Sequence, residues 1–319
     1  MCPSRQHAQR IPMRRLATAA LVLGLVGAAG APDARAAAKQ QGFASPEAAV
    51  QALVDAAKTG DTKALVAILG PGSRAIVSSG DPVADKQGLQ RFVEAYDQGN
   101  KLEKVGETKV VLNVGKDDWP LPIPVVKTGA AWRFDTAAGK QELLNRRIGR
   151  NELNTIQTCL AYVDAQREYA RMGHDGAGGL EYAQKFASDQ GRRNGLYWQA
   201  TAEGELPSPL GPFVANARAA GYRRKAGGGP TPYHGYYFRI LTAQGKDAPG
   251  GAYDYVVNGR MIGGFALVAY PAQYGVSGVM TFIVNHDGVV HQKDLGPATA
   301  KLARALKSYN PDASWKKVP

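Results

Sequence analysis

The sequence predicts an α+β protein, rich in helix at the front and in antiparallel sheet at the back. Three observations point there. Apolar residues recur at helical spacing between positions 46 and 97. Short β-branched and aromatic runs follow from position 110 and again from 236. A long amphipathic stretch separates the two β regions.

Ser45-Pro46-Glu47 opens the first helix, with Ser45 as N-cap, Pro46 at the first helical position and Glu47 beside the positive end of the helix dipole. Ala49, Leu53 and Ala56 or Ala57 form its apolar stripe, and Gly60-Asp61 stops it. Asp61 caps a second helix carrying Leu65, Ile68 and Leu69, which ends at Gly70-Pro71-Gly72. A third covers 83–97, with Leu89, Phe92, Val93 and Tyr96 at helical spacing. Val110–Val114, Ile123–Val126 and Trp132–Phe134 then read as strands. Pro120, Pro122 and Pro124 alternate before the second of these, which marks an edge or a bulge.

From Ala137 to Met172 the chain reads as helix, with a break expected at Gly149 and Asn151. Beyond the break, Leu153, Ile156, Leu160 and Val163 define an apolar face, with Cys159 beside it. Residues 173–232 are rich in Gly and Pro, with short helices expected near 181–187 and 213–220. Strands return at Tyr236–Leu241, Phe265–Tyr270, Val279–Val284 and Val289–Gln292. Asp287-Gly288 is the strongest hairpin signal in the chain. A last helix is expected over 297–308, ahead of Asn310-Pro311.

The elements over 43–138 resemble the cone-shaped nuclear-transport-factor-2-like (cystatin-like) fold. The long helix and later sheet over 151–295 resemble the globular part of type IV pilins, without their apolar N-terminal helix. Neither likeness of pattern implies an activity. The expected organisation is a signal peptide over 1–36, a tether over 37–42, a front α+β domain over 43–150, and a long-helix and antiparallel-sheet domain over 151–319.

The leader is read from its residues. Arg5, Arg10, Arg14 and Arg15 precede an apolar run from Leu16 to Gly30, too short to span a bilayer, and Ala34-Arg35-Ala36 supplies a small-x-small cleavage site. No Cys follows to accept a lipid. Arg14-Arg15 leaves export by the general or the twin-arginine route open. Cleavage after Ala36 predicts a periplasmic protein with no membrane span, and lowers the net charge from +12 to +8. That balance excludes a dense basic stripe, so nucleic-acid binding is not expected. Cys2 leaves with the leader, and Cys159 remains as a core thiol without a His beside it in sequence.

Several runs carry a resemblance of another kind: "FASPEAAVQALVDAAKTGD", "VGKDDWPLPIPVV", "WRFDTAAGKQELLNRRIGRNEL", "CLAYVDAQREYA", "PYHGYYFRILTAQG" and "GGFALVAYPAQYGVSGVMTFIVN". Together, over about 43–318, they resemble the domain-of-unknown-function family numbered 2950, exported proteins of Gram-negative bacteria. The resemblance implies export and a single unit after the leader. It implies no activity, cofactor or catalytic residue.

No motif supplies a complete catalytic set. The loop Gly173–Glu181 sits where relatives carry an aspartate-rich, calcium-like loop, but only Asp175, Gly178 and Glu181 fit the spacing, too few to hold calcium. Asp117-Asp118 are adjacent and diverge on a strand. His286 and His291 flank a turn without a third ligand, so neither metal nor cofactor is predicted. Tyr274-Gly275-Val276-Ser277-Gly278 lacks the first glycine of a nucleophile elbow, and Gly227–Gly229 lead into Pro230 rather than a phosphate-binding helix.

The densest chemistry is aromatic. Tyr233, His234, Tyr236, Tyr237 and Arg239, with Tyr270 and Tyr274 on later segments, suggest a tyrosine-rich sheet face that binds an envelope protein or polymer. Plain packing of those tyrosines is the simpler alternative. Two other functions stay open: a periplasmic hydrolase using His234 with a nearby Tyr or Asp, and a small-ligand binder using the front cone.

Overall fold

A computed structural model describes residues 39–173, 180–200, 204–223 and 229–318. The expected leader, the start of the tether, most of the calcium-like loop and Gly227-Gly228 lie outside the described residues. The described residues form one compact unit of α+β class built around two hydrophobic clusters.

The front begins with α1 (Pro46–Thr59) and α2 (Thr62–Leu69). Ser45 accepts the Ala48 N–H at 3.2 Å, and Asp61 accepts those of Lys63 and Ala64 at 2.9 and 3.0 Å, the capping chemistry read from sequence. A single turn, α3 (Arg74–Val77), leads to α4 (Pro82–Gln98), capped by Asp81. The front sheet comprises β1 (Asn100–Lys104), β2 (Lys109–Val114), β3 (Trp119–Pro120), β4 (Val125–Thr128) and β5 (Ala131–Phe134). All its pairings are antiparallel, in the order β1-β2-β4-β5, with β3 on the far end of β2. The prolines thus interrupt the ladder: β3 pairs with the end of β2 and β4 with its start. β1, Asn-Lys-Leu-Glu-Lys, escaped the sequence reading because it is a charged edge strand, burying little beyond Leu102.

The expected break at Gly149 is absent. α5 runs unbroken from Thr136 to Arg171, a 36-residue helix roughly 54 Å long at 1.5 Å per residue. One interior glycine costs only about 1 kcal/mol relative to alanine, and contacts at both ends hold the helix. Gly139 packs under the Pro122 carbonyl, where a Cβ would collide, and the C-terminal half lies on the back sheet. The buried face there matches the expected one only in part, at Val163 and Ile156. Leu153 is 66% exposed and Leu160 36%, while Asn151, Thr155, Cys159, Tyr162, Gln166 and Tyr169 face inward. Polar inward residues disguised the stripe. Asn151 donates to the Ser277 carbonyl (2.8 Å), and Gln166 both donates to the Ala183 carbonyl (2.7 Å) and accepts the Ala183 N–H (2.8 Å).

The helix expected near 181–187 is likewise absent. Backbone groups there bond outward, Tyr182 to Met261 and Ser188 to Tyr197. α6 (Gly211–Ala219) follows, then β6 (Tyr236–Leu241), and the short pairs β7 (Ala243–Gln244) with β8 (Tyr253–Asp254) and β9 (Val256–Val257) with β10 (Arg260–Met261). The back sheet is completed by β11 (Ala266–Pro271), β12 (Met280–Asn285) and β13 (His291–Asp294). After them come a 3₁₀ turn (Gly296–Ala298), α7 (Thr299–Ala305) and β14 (Lys316–Lys317). The terminal helix is thus shorter than expected. Sheet order is β14-β13-β12-β11-β6, with Asp287-Gly288 in the connection between β12 and β13. α5 packs on β12 and α7 on β11.

Candidate functional site

The predicted tyrosine-rich set is distributed over several places. Tyr236 is fully buried. Its hydroxyl donates to the Met280 carbonyl (3.0 Å) and lies 3.5 Å from Glu152 Oε1, and burial, followed by the Glu152 charge, pushes its pKa far up. Gly278 permits this, since a Cβ there would overlap the Tyr236 hydroxyl. Tyr237, Arg239 and Tyr270 share the opposite face. The rings of Tyr237 and Tyr270 stand 5.6 Å apart, and Tyr270 is 5% exposed. Arg239 Nη2 donates to the Ala303 and Leu306 carbonyls at 2.8 and 2.5 Å, beneath α7. Tyr274 donates to Asp294 (3.1 Å) between β11 and β12. Tyr233 packs against Phe213 and Tyr222 at 5.0 and 4.8 Å.

His234 is placed differently. Tyr233 and Tyr236 bridge each other across a two-residue turn in which His234 and Gly235 both take positive φ, 49° and 77°. That is the geometry of a type I′ hairpin turn, which needs glycine or a tolerant residue at both central positions. The turn is held from the front. Asp81 Oδ1 caps α4 through the Val83 and Ala84 N–H groups (both 3.1 Å). Its Oδ2 accepts the Gly235 N–H (2.8 Å) and the Tyr222 hydroxyl (3.0 Å). Tyr222 in turn accepts the His234 N–H at 3.1 Å. Asp81 is only 1% exposed, so one buried carboxylate joins the start of α4 to the His234 turn.

The His234 side chain faces a cavity of about 780 Å³ in the front half. Its deep wall is apolar: Leu53 and Ala57 of α1, Leu65 and Leu69 of α2, Leu89 and Phe92 of α4, and Leu121 and Ile123 beside the sheet. Polar residues gather elsewhere on the lining, namely Asp85 and Arg91 on α4 and Arg146, Arg147, Arg150, Asn151 and Asn154 on α5, with the exposed Trp119. Leu143, Arg146, Arg147, Arg150, Asn151 and Asn154 fall at helical spacing, a complete stripe in which only the first residue is apolar. This is the signal the sequence reading missed, because it sought an apolar face where the helix borders a cavity.

Two of the arginines are engaged. Arg146 pairs with Glu142 at 2.6 Å, and Arg147 donates to the Ala75 carbonyl (2.6 Å) and to that of Ile76. Burial lowers the Arg147 pKa while Asp85 opposes the shift. Burial also raises the Asp85 carboxyl, against two hydrogen bonds from the Ser79 N–H at 2.9 and 3.2 Å. Burial lowers the His234 pKa, with Asp81 opposing and Arg91 assisting, so the imidazole is neutral near pH 7. Both Asp81 oxygens are occupied, and among the described residues the His234 side chain has no carboxylate partner. Cys159, in the back core, has its thiol pushed up to about 12 by burial. Among the described residues no group of three metal-ligating side chains converges, and no helix is long and apolar enough to cross a membrane.

A family model described as "Protein of unknown function (DUF2950)" matches residues 40–318. No curated protein and no solved structure matches the chain.

Proposed function

The chain belongs to the DUF2950 family, and from its own geometry we propose that it is a binding protein for a small amphipathic molecule, taken up in the front cavity. The carrying observation is the cavity itself. Protein interiors hold few voids larger than a water molecule, yet here about 780 Å³ is left between the front helices, α5 and the front sheet. The size lies within the range of small-molecule sites, as does a lining of apolar walls with a few convergent polar groups. The arginine-led apolar run before Ala36 supports placing this function outside the cytosol, in the envelope.

The tyrosine-rich sheet gives less support to capture of a partner, since Tyr236 and Tyr270 are buried and their sheet is covered by α5 and α7. Hydrolysis through His234 draws little support from a carboxylate neighbour whose oxygens are already bonded.

Gly88 provides the test. It lines the cavity from within α4, and a Cβ there would meet only Arg91 Nη2, at 3.9 Å. Gly88→Phe therefore fills the cavity while improving helix propensity. The neutral dye N-phenyl-1-naphthylamine is expected to bind the protein saturably, one per chain. Gly88→Phe should weaken it at least tenfold with no loss of thermal stability. A dye that ignores the wild-type protein, or binds the variant equally well, refutes the proposal.

A further inference from the structure

We infer that the molecule held in the cavity carries an oxyanion head group, clamped by Arg91 and Arg150; this rests on the cavity being a binding site. Of the arginines on the lining, Arg146 and Arg147 are already used, the first by Glu142 and the second by the carbonyls that end α3. Arg91 and Arg150 have neither hydrogen bond nor ion pair among the described residues. Both line the same cavity, and the Arg91 charge adds to burial in lowering the Arg150 pKa. Both are solvent-exposed and stand on different helices beside an apolar wall, so an anion between them would be met by two guanidinium groups with no competing partner among the described residues.

The other ionisable groups on the lining do not neutralise the pair. Asp85 is turned to the Ser79 N–H, with Arg147 as the arginine whose charge it feels, and His234 is neutral near pH 7. The planar guanidinium fork matches carboxylate, phosphate and sulfonate oxygens, with charge-assisted hydrogen bonds that a neutral head cannot form. An apolar body in the deep cavity and an anionic head at Arg91 and Arg150 is the occupant this lining selects. Chance placement of surface arginines would instead leave them indifferent to what enters.

Two dyes with the same rings separate the head from the body: N-phenyl-1-naphthylamine and its 8-sulfonate. The sulfonate is expected to bind wild-type protein at least tenfold more tightly, with a preference that shrinks as salt rises. Arg91→Gln with Arg150→Gln should abolish the preference, bringing the affinity for the sulfonate down to that for the neutral dye. Lys86→Gln, on α4 but outside the cavity, should leave both affinities intact. Displacement by dodecanoate, dodecyl phosphate and dodecanol then identifies the head, with both anions expected to outcompete the alcohol and the stronger of them naming the class. Equal affinity for the two dyes, or a preference that survives the double substitution, overturns the head-group inference while the cavity reading stands. A neutral dye that fails to bind at all overturns the cavity reading. Sulfonate binding undiminished in Gly88→Phe places the anion elsewhere and overturns the head-group inference.

Discussion

The two halves of this protein solve the packing problem in opposite ways. In the back half, every residue of β11 is buried and the sheet is covered by α5 on one side and α7 on the other. Its buried tyrosines find partners: Tyr162 donates to the Ala266 carbonyl (3.3 Å), Tyr255 to Gln244 (2.9 Å), and Tyr309 meets His291 (3.1 Å). In the front half, α4 is a 17-residue helix without one fully buried residue. Its Leu89 and Phe92 border a hollow, and Arg91 and Arg150 on the lining have neither hydrogen bond nor ion pair among the described residues. The comparison teaches where to look for function. Aromatic density marks the half that is finished, while the half left incomplete is the one with room for another molecule.

Truncation breaks or sharpens that contrast most strongly. Phe282 is fully buried in the back core, and Phe282→Ala should cost about 3–5 kcal/mol, from lost transfer energy and a new cavity. Leu89→Ala, beside a cavity that already exists, should cost about 1 kcal/mol, because little new void is made. Urea unfolding of both variants decides it. Equal losses would mean that the front is packed as tightly as the back.

The junction comes next in size. Asp81 is the N-cap of α4 and the acceptor for the Gly235 N–H and the Tyr222 hydroxyl. Asp81→Ala should therefore cost about 2–3 kcal/mol, summing a lost cap and buried donors left unpaired. Tyr222→Phe removes one of those bonds together with the acceptor of the His234 N–H, and should cost about 1–2 kcal/mol. The double variant should fall short of the sum, since both changes remove the same bond. Full additivity in chemical denaturation would show that the two halves are not coupled through this carboxylate.

Sequence patterns gave the front helices and back strands because there the local signal and the tertiary demand agree. Ser45-Pro46 and Asp61 cap as expected, and Tyr236–Leu241 is a strand with the expected bounds. They failed where packing inverts the usual sign of a residue. α5 turns Asn151 and Thr155 inward and Leu153 outward, because Asn151 donates to the Ser277 carbonyl and Thr155 satisfies its hydroxyl on the Asn151 carbonyl of its own helix. The candidate site was illegible for the same reason. Arg146, Arg147 and Arg150 are a helical stripe, but a stripe of arginines reads as solvent-facing until a cavity is known to lie beneath it. His234 stood out in sequence for its aromatic neighbours, whereas the structure joins it to the front cavity through Asp81.

The smallest effect expected is one of pH, and it again sets front against back. Burial lowers the pKa of His234 in the front cavity and of His291 in the back sheet. In the unfolded chain each returns to the ordinary value of 6.5. Below that value the unfolded state binds a proton that the folded state resists, so each group's contribution is intact above pH 6.5 and declines as the pH falls toward the folded value. Asp85 acts with the opposite sign, because its raised pKa makes the folded state take up protons first as acid is added. It stays present in a histidine variant and cancels in the difference from wild type. His234→Gln and His291→Gln should each flatten the acid limb of a stability–pH curve measured by urea unfolding. Filling the cavity with an apolar dye removes water from around His234 alone, so it should steepen the His234 contribution and leave that of His291 unchanged. A dye that moves both, or neither, would mean that the imidazole does not share the hollow with the bound molecule.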